Sequence, residues 1–211
     1  MPSFDLILLF DYIGTMVFAI SGTLTAAQKR LDLFGAIFIG FATAIGGGTL
    51  RDMMLGNLPV AWIQSNNYFI VIMAGVFITI LFKKYVLKLR NTLFLFDTIG
   101  IAAFTVIGLE KALDFGISAP IAVMMGLSTA VVGGIIRDTL TNELPLIFHK
   151  EIYATACITG GIVFLILHYL HLPQVISEAV TVLVIIAIRV WAVRYNITMP
   201  PITLGEKDKS E

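Results

Sequence analysis

Charged residues are scarce in this sequence, and their scarcity excludes an ordinary soluble protein. Asp, Glu, Lys and Arg make up 13% of the 211 residues, whereas a soluble domain has about 25%. Hydrophobic residues reach 58%, and the mean hydropathy is +0.93. So few charges cannot cover the surface of a soluble protein of this size. The composition therefore indicates a protein with several membrane-spanning segments.

Residues that bind metals or carry out catalysis are also scarce. The single cysteine, Cys157, excludes an internal disulfide bond and a cysteine-based metal cluster. The three histidines are too scattered to predict a zinc site. The formal net charge is zero, so no overall field attracts nucleic acid. We therefore expect no cofactor, no metal centre and no nucleic-acid partner, and no group of residues predicts an enzyme.

Long apolar runs separated by charged residues predict an all-α protein that crosses the membrane repeatedly. About 20 helical residues cross the hydrocarbon core of a bilayer. Seven runs approach this length, and they cover approximately residues 6–27, 33–50, 67–82, 93–109, 117–136, 152–169 and 175–193. With seven spans, twelve of the fourteen Lys and Arg residues fall on the face that holds the C-terminus. This bias predicts a cytoplasmic C-terminus and an N-terminus outside.

An internal repeat organises the first six runs. The chain aligns with itself at a shift of 86 residues, and residues 11–60 share sixteen identities with residues 97–146. The identities are mainly Gly, Asp, Arg and Pro, which a shared apolar bias would not produce. Because each copy has three spans, the second copy is inverted in the membrane, as in many transporters. We expect a first repeat over residues 1–90, an inverted second repeat over 91–172, a seventh helix over 173–196 and a cytoplasmic tail over 197–211.

Glycines late in the second and fifth predicted helices form the first candidate site. They are Gly46, Gly47 and Gly48 in the first copy, and Gly133 and Gly134 in the second. Each glycine weakens a helix by about 1 kcal/mol relative to alanine. Their recurrence predicts a functional break in both helices, where freed carbonyl groups line a water-filled cation pore. The alternative is close packing between helices, which small residues permit.

An Arg-Asp pair follows the glycines in each copy. We call Arg51 and Asp52 the first dyad, and Arg137 and Asp138 the second dyad. Apolar residues follow both dyads, so each helix is expected to continue as a half-helix to the proline seven residues after the aspartate. The dyads would then line the pore, with each arginine close to the aspartate of the other copy. The alternatives are pairing within each dyad, or an interfacial cap with arginine reaching lipid headgroups.

Two further groups of charged residues are candidates. Asp11 and Asp97 occupy matched positions early in the first and fourth predicted helices, where a carboxylate attracts cations or relays protons. The alternative for both is a favourable interaction with the helix N-terminus. A basic cluster follows the third run. Its simplest role is to set the orientation of the protein in the membrane, and binding of anionic lipid is the second interpretation. This cluster consists of Lys83, Lys84, Lys88 and Arg90.

These features together resemble the prokaryotic branch of the trimeric intracellular cation (TRIC) channels, a bacterial group also labelled glycine-transporter domain. The likeness covers residues 5 to about 194. It implies a homotrimer with an hourglass-shaped pore in each protomer, which conducts monovalent cations, chiefly K⁺. The family's pore glycines carry over to the glycines above, and Thr49 and both dyads match by position. The resemblance also favours a prokaryotic plasma membrane.

Two functions are compatible with these residues. A passive K⁺ channel would use carbonyl groups and the dyad carboxylates to favour cations. A secondary transporter of a small zwitterion such as glycine would hold the substrate carboxylate at half-helix N-termini. The absence of an aromatic residue near the glycines, which would close a substrate pocket, favours the channel.

Overall fold

The computed structural model describes residues 6–86, 92–149 and 152–200. These residues form eight α-helices and one 3-10 turn, and the same ranges contain no β-strand. The helices are α1 Leu6–Gln28, α2 Leu33–Leu55, α3 Ala61–Gln64, α4 Asn66–Val86, α5 Thr92–Asp114, α6 Ala119–Leu140, α7 Ala154–Tyr169 and α8 Gln174–Arg194.

The lengths and composition of these helices suit a bilayer. Five of the described helices, α1, α2, α5, α6 and α8, are long and apolar enough to cross a membrane. Shorter apolar helical segments are present at Asn66–Phe82 in α4 and at Ala154–Tyr169 in α7. The prediction of an all-helical membrane protein is thereby confirmed. The count of seven spans and the boundaries of the repeats stay predictions.

Helices α1, α2, α5 and α6 form the centre of the molecule. Each of α2 and α5 packs against both α1 and α6, while α4 covers α1 and the pair α7 and α8 covers α5. Apolar side chains such as Phe18, Ile101 and Ile107 are almost fully buried between them. Any charged side chain on an inner face of these helices therefore depends on partners within the protein.

The predicted break at the glycines is wrong, because α2 and α6 run through them as continuous helices. A Cβ atom on Gly47 would lie 1.9 Å from the carbonyl oxygen of Thr129, and one on Gly133 would lie 2.4 Å from that of Thr43. Neither position leaves room for a side chain. A continuous helix satisfies its own backbone groups within a membrane, and the missing side chains let the two backbones cross in contact.

The expected half-helices near Pro59 and Pro145 are also absent. Helix α2 ends at Leu55 and α6 at Leu140. A residue in left-handed conformation follows each helix closely, Gly56 with φ 69° and Asn142 with φ 56°. The next backbone N–H then donates to the carbonyl oxygen of the dyad aspartate at 2.8 Å in both copies. These bonds terminate the helices just beyond the dyads.

We predict opposite effects of alanine at neighbouring glycines. A Cβ atom on Gly48 would meet only Arg51 Nη2, at 3.8 Å, so Gly48→Ala should be neutral or stabilise α2 by up to about 1 kcal/mol. Gly47→Ala should destabilise the protein by about 1–3 kcal/mol because the crossing must open. Thermal unfolding and size-exclusion chromatography in detergent measure the difference. Gly133→Ala against Gly134→Ala repeats the comparison, and equal behaviour within both pairs would contradict the crossing.

Candidate functional site

The six charged residues that the sequence predicted for the site are all buried on the central helices. Each has at most 7% of its surface exposed. They are Asp11, Arg51, Asp52, Asp97, Arg137 and Asp138. An unpaired charge at the centre of a membrane helix costs about 2.5–3.5 kcal/mol on insertion scales. All six were candidates from the sequence, and their partners determine what the site can do.

Asp52 makes most of the contacts in the first dyad. Its Oδ1 atom accepts a hydrogen bond from Arg51 Nε at 2.8 Å, and its Oδ2 accepts one from the backbone N–H of Ala61 at 2.9 Å. Lys111 of α5 places its ammonium nitrogen 3.7 Å from the same Oδ1. Among the described residues, Arg51 Nη1 has no hydrogen-bond partner. The first dyad therefore joins α2, α3 and α5 but leaves one guanidinium nitrogen unused.

Arg137, in the second dyad, is bound more extensively. Its Nε and Nη2 atoms donate to the two carboxylate oxygens of Asp138 at 2.7 and 3.1 Å. Its Nη1 donates to Asp97 Oδ1 at 2.9 Å and to Ser21 Oγ at 2.6 Å. A planar guanidinium group suits several directed bonds of this kind. Arg137 thereby links α6 to both α5 and α1.

The predicted pairing of each arginine with the aspartate of the other copy is wrong, since both ion pairs form within their own dyad. Gly47 contacts Thr129 and Gly133 contacts Thr43, so α2 and α6 are antiparallel. Each arginine lies four residues beyond its glycine, on opposite sides of the crossing. At about 1.5 Å per residue, the dyads are separated by about 18 Å along the helices. This distance prevents direct pairing between the copies.

A small cavity lies beside the first dyad. Its volume is about 20 Å³, which is room for about one water molecule. Asp11 and Arg51 both line it, together with Thr15, Asp52 and Phe104. The hydroxyl group of Tyr68, which is also in the lining, donates to Asp11 Oδ2 at 2.8 Å. The cavity is thus lined by Asp11 and by the arginine whose Nη1 atom has no hydrogen-bond partner in the described part of the chain.

An aromatic pair beside the crossing was missed by the sequence reasoning. The rings of Phe18 and Phe104 lie 5.2 Å apart between centroids, and both residues are at most 2% exposed. Aligned glycines make room for them, because a Cβ on Gly100 would lie 2.2 Å from the Phe18 ring and one on Gly14 would lie 3.1 Å from Phe104. This pair is the one aromatic identity between residues 11–60 and 97–146, a signal that the alignment already contained.

The remaining predicted site residues are distributed over several surroundings. Gly48 lines the cavity of the first dyad. Thr49 is not part of the cavity lining. Its hydroxyl group donates to the Ile45 carbonyl at 2.8 Å and accepts from the indole N–H of Trp62 in α3 at 3.1 Å. Gly46 packs against Ile136, while Gly134 lies beside the guanidinium group of the second dyad. The glycines and Thr49 therefore do not share one surface.

The basic cluster cannot be placed in the same way. Lys88 and Arg90 lie outside the described residues. Lys83 and Lys84 belong to α4, but their side chains lie outside the described part of the chain. Its interaction with lipid stays a prediction.

An exposed ion pair joins two segments at the end of the molecule that holds the second dyad. Lys29, directly after α1, pairs with Glu143, which follows α6. The hydrogen bond and the charge of Lys29 stabilise the carboxylate and hold the pKa of Glu143 below its usual value. Because both side chains are partly or largely exposed, the pair contributes little to stability.

Comparison with known proteins shows similarity along almost the whole chain. The family model described as Glycine transporter matches residues 8–84 and 94–169. The UPF0126 inner membrane protein YadS of Escherichia coli strain K12 is 40% identical, over 94% of this chain and 97% of that protein. A UPF0126 membrane protein of Vibrio cholerae is 42% identical, over 95% of this chain and 84% of the relative.

A solved structure agrees with these relatives. The TRIC trimeric intracellular cation channel orthologue from Rhodobacter sphaeroides superposes with a TM-score of 0.87 at 32% identity, over 91% of this chain and 99% of the other. Each of the two matched segments of the family model contains one dyad. The apolar helices and the inner-membrane relatives show a multi-pass protein of the bacterial plasma membrane. The chain belongs to the prokaryotic branch of the TRIC channel family.

Proposed function

We propose that the protein is a passive channel for monovalent cations, chiefly K⁺. The observation that carries this proposal is the burial of two Arg-Asp dyads on opposite sides of the crossing of α2 and α6. Each dyad has a further aspartate near it, Asp11 or Asp97. Carboxylates inside a membrane protein attract cations along a pathway, and the arginines keep those carboxylates in place. The similarity to TRIC cation channels supports the same function.

The pathway would run between α1, α2, α5 and α6 within one subunit, and three subunits would assemble in the membrane. These four helices carry all six buried charges of the site. The outer helices instead expose large apolar side chains, such as Phe69 and Phe77 on α4 and Leu183 on α8, that suit lipid or a neighbouring subunit. The basic cluster at residues 83–90 would contact anionic lipid at the cytoplasmic leaflet.

Two inverted repeats of three spans, followed by a seventh helix, are the architecture we propose for this pathway. Its support is a set of reciprocal contacts: Gly47 against Thr129 is matched by Gly133 against Thr43, positions that exchange under the shift of 86 residues. The aromatic pair and the caps after α2 and α6 are reciprocal as well. A two-fold axis near the crossing accounts for all of them. The proposed boundaries remain residues 1–90, 91–172, 173–196 and 197–211.

A transporter of a small zwitterion is less well supported. That hypothesis needs half-helix N-termini to hold a carboxylate, whereas α2 and α6 are continuous. The cavity beside the first dyad, about 20 Å³, accommodates about one water molecule and not an amino acid. Both observations favour ions over larger substrates.

Purified protein in a planar bilayer tests the proposed function. Under a KCl gradient, we expect unitary current steps and a reversal potential close to the K⁺ equilibrium potential, because the carboxylates favour cations. Replacing K⁺ by Na⁺ on one side then measures discrimination between the two ions. Saturable uptake of a zwitterion without unitary current would contradict the channel and support a carrier.

The aromatic pair is expected to limit conduction. Phe104→Ala removes an apolar ring from the wall of the cavity, so water should enter more easily and K⁺ flux into liposomes should rise. Phe164→Ala is the matched control, since Phe164 is equally buried but belongs to a separate apolar cluster. An unchanged flux in Phe104→Ala, or the same change in Phe164→Ala, would remove the ring from the pathway.

The orientation makes a separate prediction. A reporter enzyme that is active only outside the cytoplasm should stay inactive when it is fused to the C-terminus, because the face with most Lys and Arg remains inside. The same reporter after residue 57, beyond the first dyad, should be active. Reporter activity at the C-terminus would show that the orientation is the reverse of the predicted one, and that the first dyad lies towards the cytoplasm.

A further inference from the structure

Residues that are equivalent in the two repeats are arranged differently. Arg137 Nη1 donates directly to Asp97 at 2.9 Å. The equivalent atom of Arg51 has no hydrogen-bond partner among the described residues, although Arg51 is only 2% exposed. Arg51 and Asp11, the equivalent of Asp97, instead line the cavity of about 20 Å³. The equivalent Arg and Asp residues are therefore directly bonded in the second repeat but line a water-sized space in the first.

A serine that is absent from the repeat pattern explains the direct pair. Ser21 Oγ accepts a hydrogen bond from Arg137 Nη1 at 2.6 Å. At the shift of 86 residues, Ser21 aligns with Ile107, whose side chain offers no acceptor. Arg137 therefore has a second partner that directs its Nη1 towards Asp97, and Arg51 has no equivalent of it.

Tyr68, which lies outside the aligned residues 11–60, explains why Arg51 Nη1 does not bond to Asp11. Tyr68 donates to Asp11 Oδ2 at 2.8 Å and so competes with Arg51 for that carboxylate. At the same shift Tyr68 aligns with Ala154. The neighbouring Tyr153 places its hydroxyl oxygen near Asp97, since a Cβ atom on Gly134 would lie 3.4 Å from that oxygen and 3.7 Å from Asp97 Oδ1. Asp97 Oδ2 nevertheless has no hydrogen-bond partner in the described ranges, so this phenol does not hold Asp97 as Tyr68 holds Asp11.

We propose that Ser21 and Tyr68 are positioning residues that make the two ends of the pathway unequal. The direct bond between Arg137 and Asp97 neutralises this carboxylate and fills the space through which a hydrated cation would pass, so the Arg137 end is closed. At the Arg51 end, Asp11 receives no bond from Arg51 Nη1 and lines a water-sized space, so its carboxylate remains available. Opening requires Arg137 to leave Asp97 and adopt the arrangement that Arg51 already has. This inference rests on the proposed channel function and specifies which end limits it.

K⁺ flux into liposomes tests the roles of the two residues. Ser21→Ala removes one of the bonds that direct Arg137 towards Asp97, so flux should rise. Tyr68→Phe releases Asp11 to pair with Arg51, so flux should fall. We expect each change to be roughly five-fold or more, the lower range of coupling between sites. A merely structural role predicts no such opposition, because loss of a buried hydrogen bond would lower stability in both variants.

Two matched controls separate these effects from general loss of packing. Thr25→Val removes a hydroxyl group one turn from Ser21 that donates within α1, to the Ser21 carbonyl at 3.0 Å. Tyr12→Phe removes a phenol whose ring lies 5.3 Å from the Tyr68 ring and whose oxygen accepts from Asn67. Both controls should keep the flux of the unmodified protein.

The outcomes distinguish failure of this inference from failure of the channel proposal. If the unmodified protein conducts but the two variants change flux in the same direction, or not at all, the positioning roles are overturned and the channel stands. If the unmodified protein does not conduct, an experimental structure of Tyr68→Phe decides the arrangement. A direct bond between Arg51 Nη1 and Asp11 would support the proposed competition, and an unchanged cavity between them would overturn it.

Discussion

Neutralisation of two buried arginines is the constraint on which much of this structure depends. Arg51 and Arg137 are at most 2% exposed, and breaking a buried ion pair by removal of one partner costs about 3–5 kcal/mol. In both repeats the next residue supplies the carboxylate, and the chain after the helix returns to it through a backbone N–H, from Ala61 or Leu146. The buried carboxylate therefore holds the segment that follows each helix against the dyad.

The crossing of α2 and α6 determines where these charges lie. Because the backbones touch at Gly47 and Gly133, the two dyads occupy opposite sides of one narrow contact. The rings of Phe18 and Phe104 fill the space beside that contact. A pathway between the central helices would therefore have a polar region at each end and an apolar constriction between them, which is a form suited to controlled passage of ions.

The sequence predicted the features that have a regular pattern. Apolar runs indicated the helices, the shift of 86 residues related the two halves, and the scarcity of charge made the dyads conspicuous. The helix break predicted at the glycines was wrong, because glycines that break a helix and glycines that let two helices cross closely look the same in a single sequence. Ser21 and Tyr68 could not be found in this way, since each bonds to a residue far away in the chain and neither is repeated. Contacts between different helices have no characteristic spacing in the sequence.

Local pairing of the buried charges is tested most directly by two double-mutant cycles on thermal stability in detergent. For Arg137 and Asp97, which are in contact, alanine substitutions should be non-additive by about 0.5–3 kcal/mol. For Arg137 and Asp52, on the far side of the crossing, the effects should add within about 0.3–0.5 kcal/mol. Strong coupling between Arg137 and Asp52, with additive effects at Asp97, would show instead that the arginines pair across the axis.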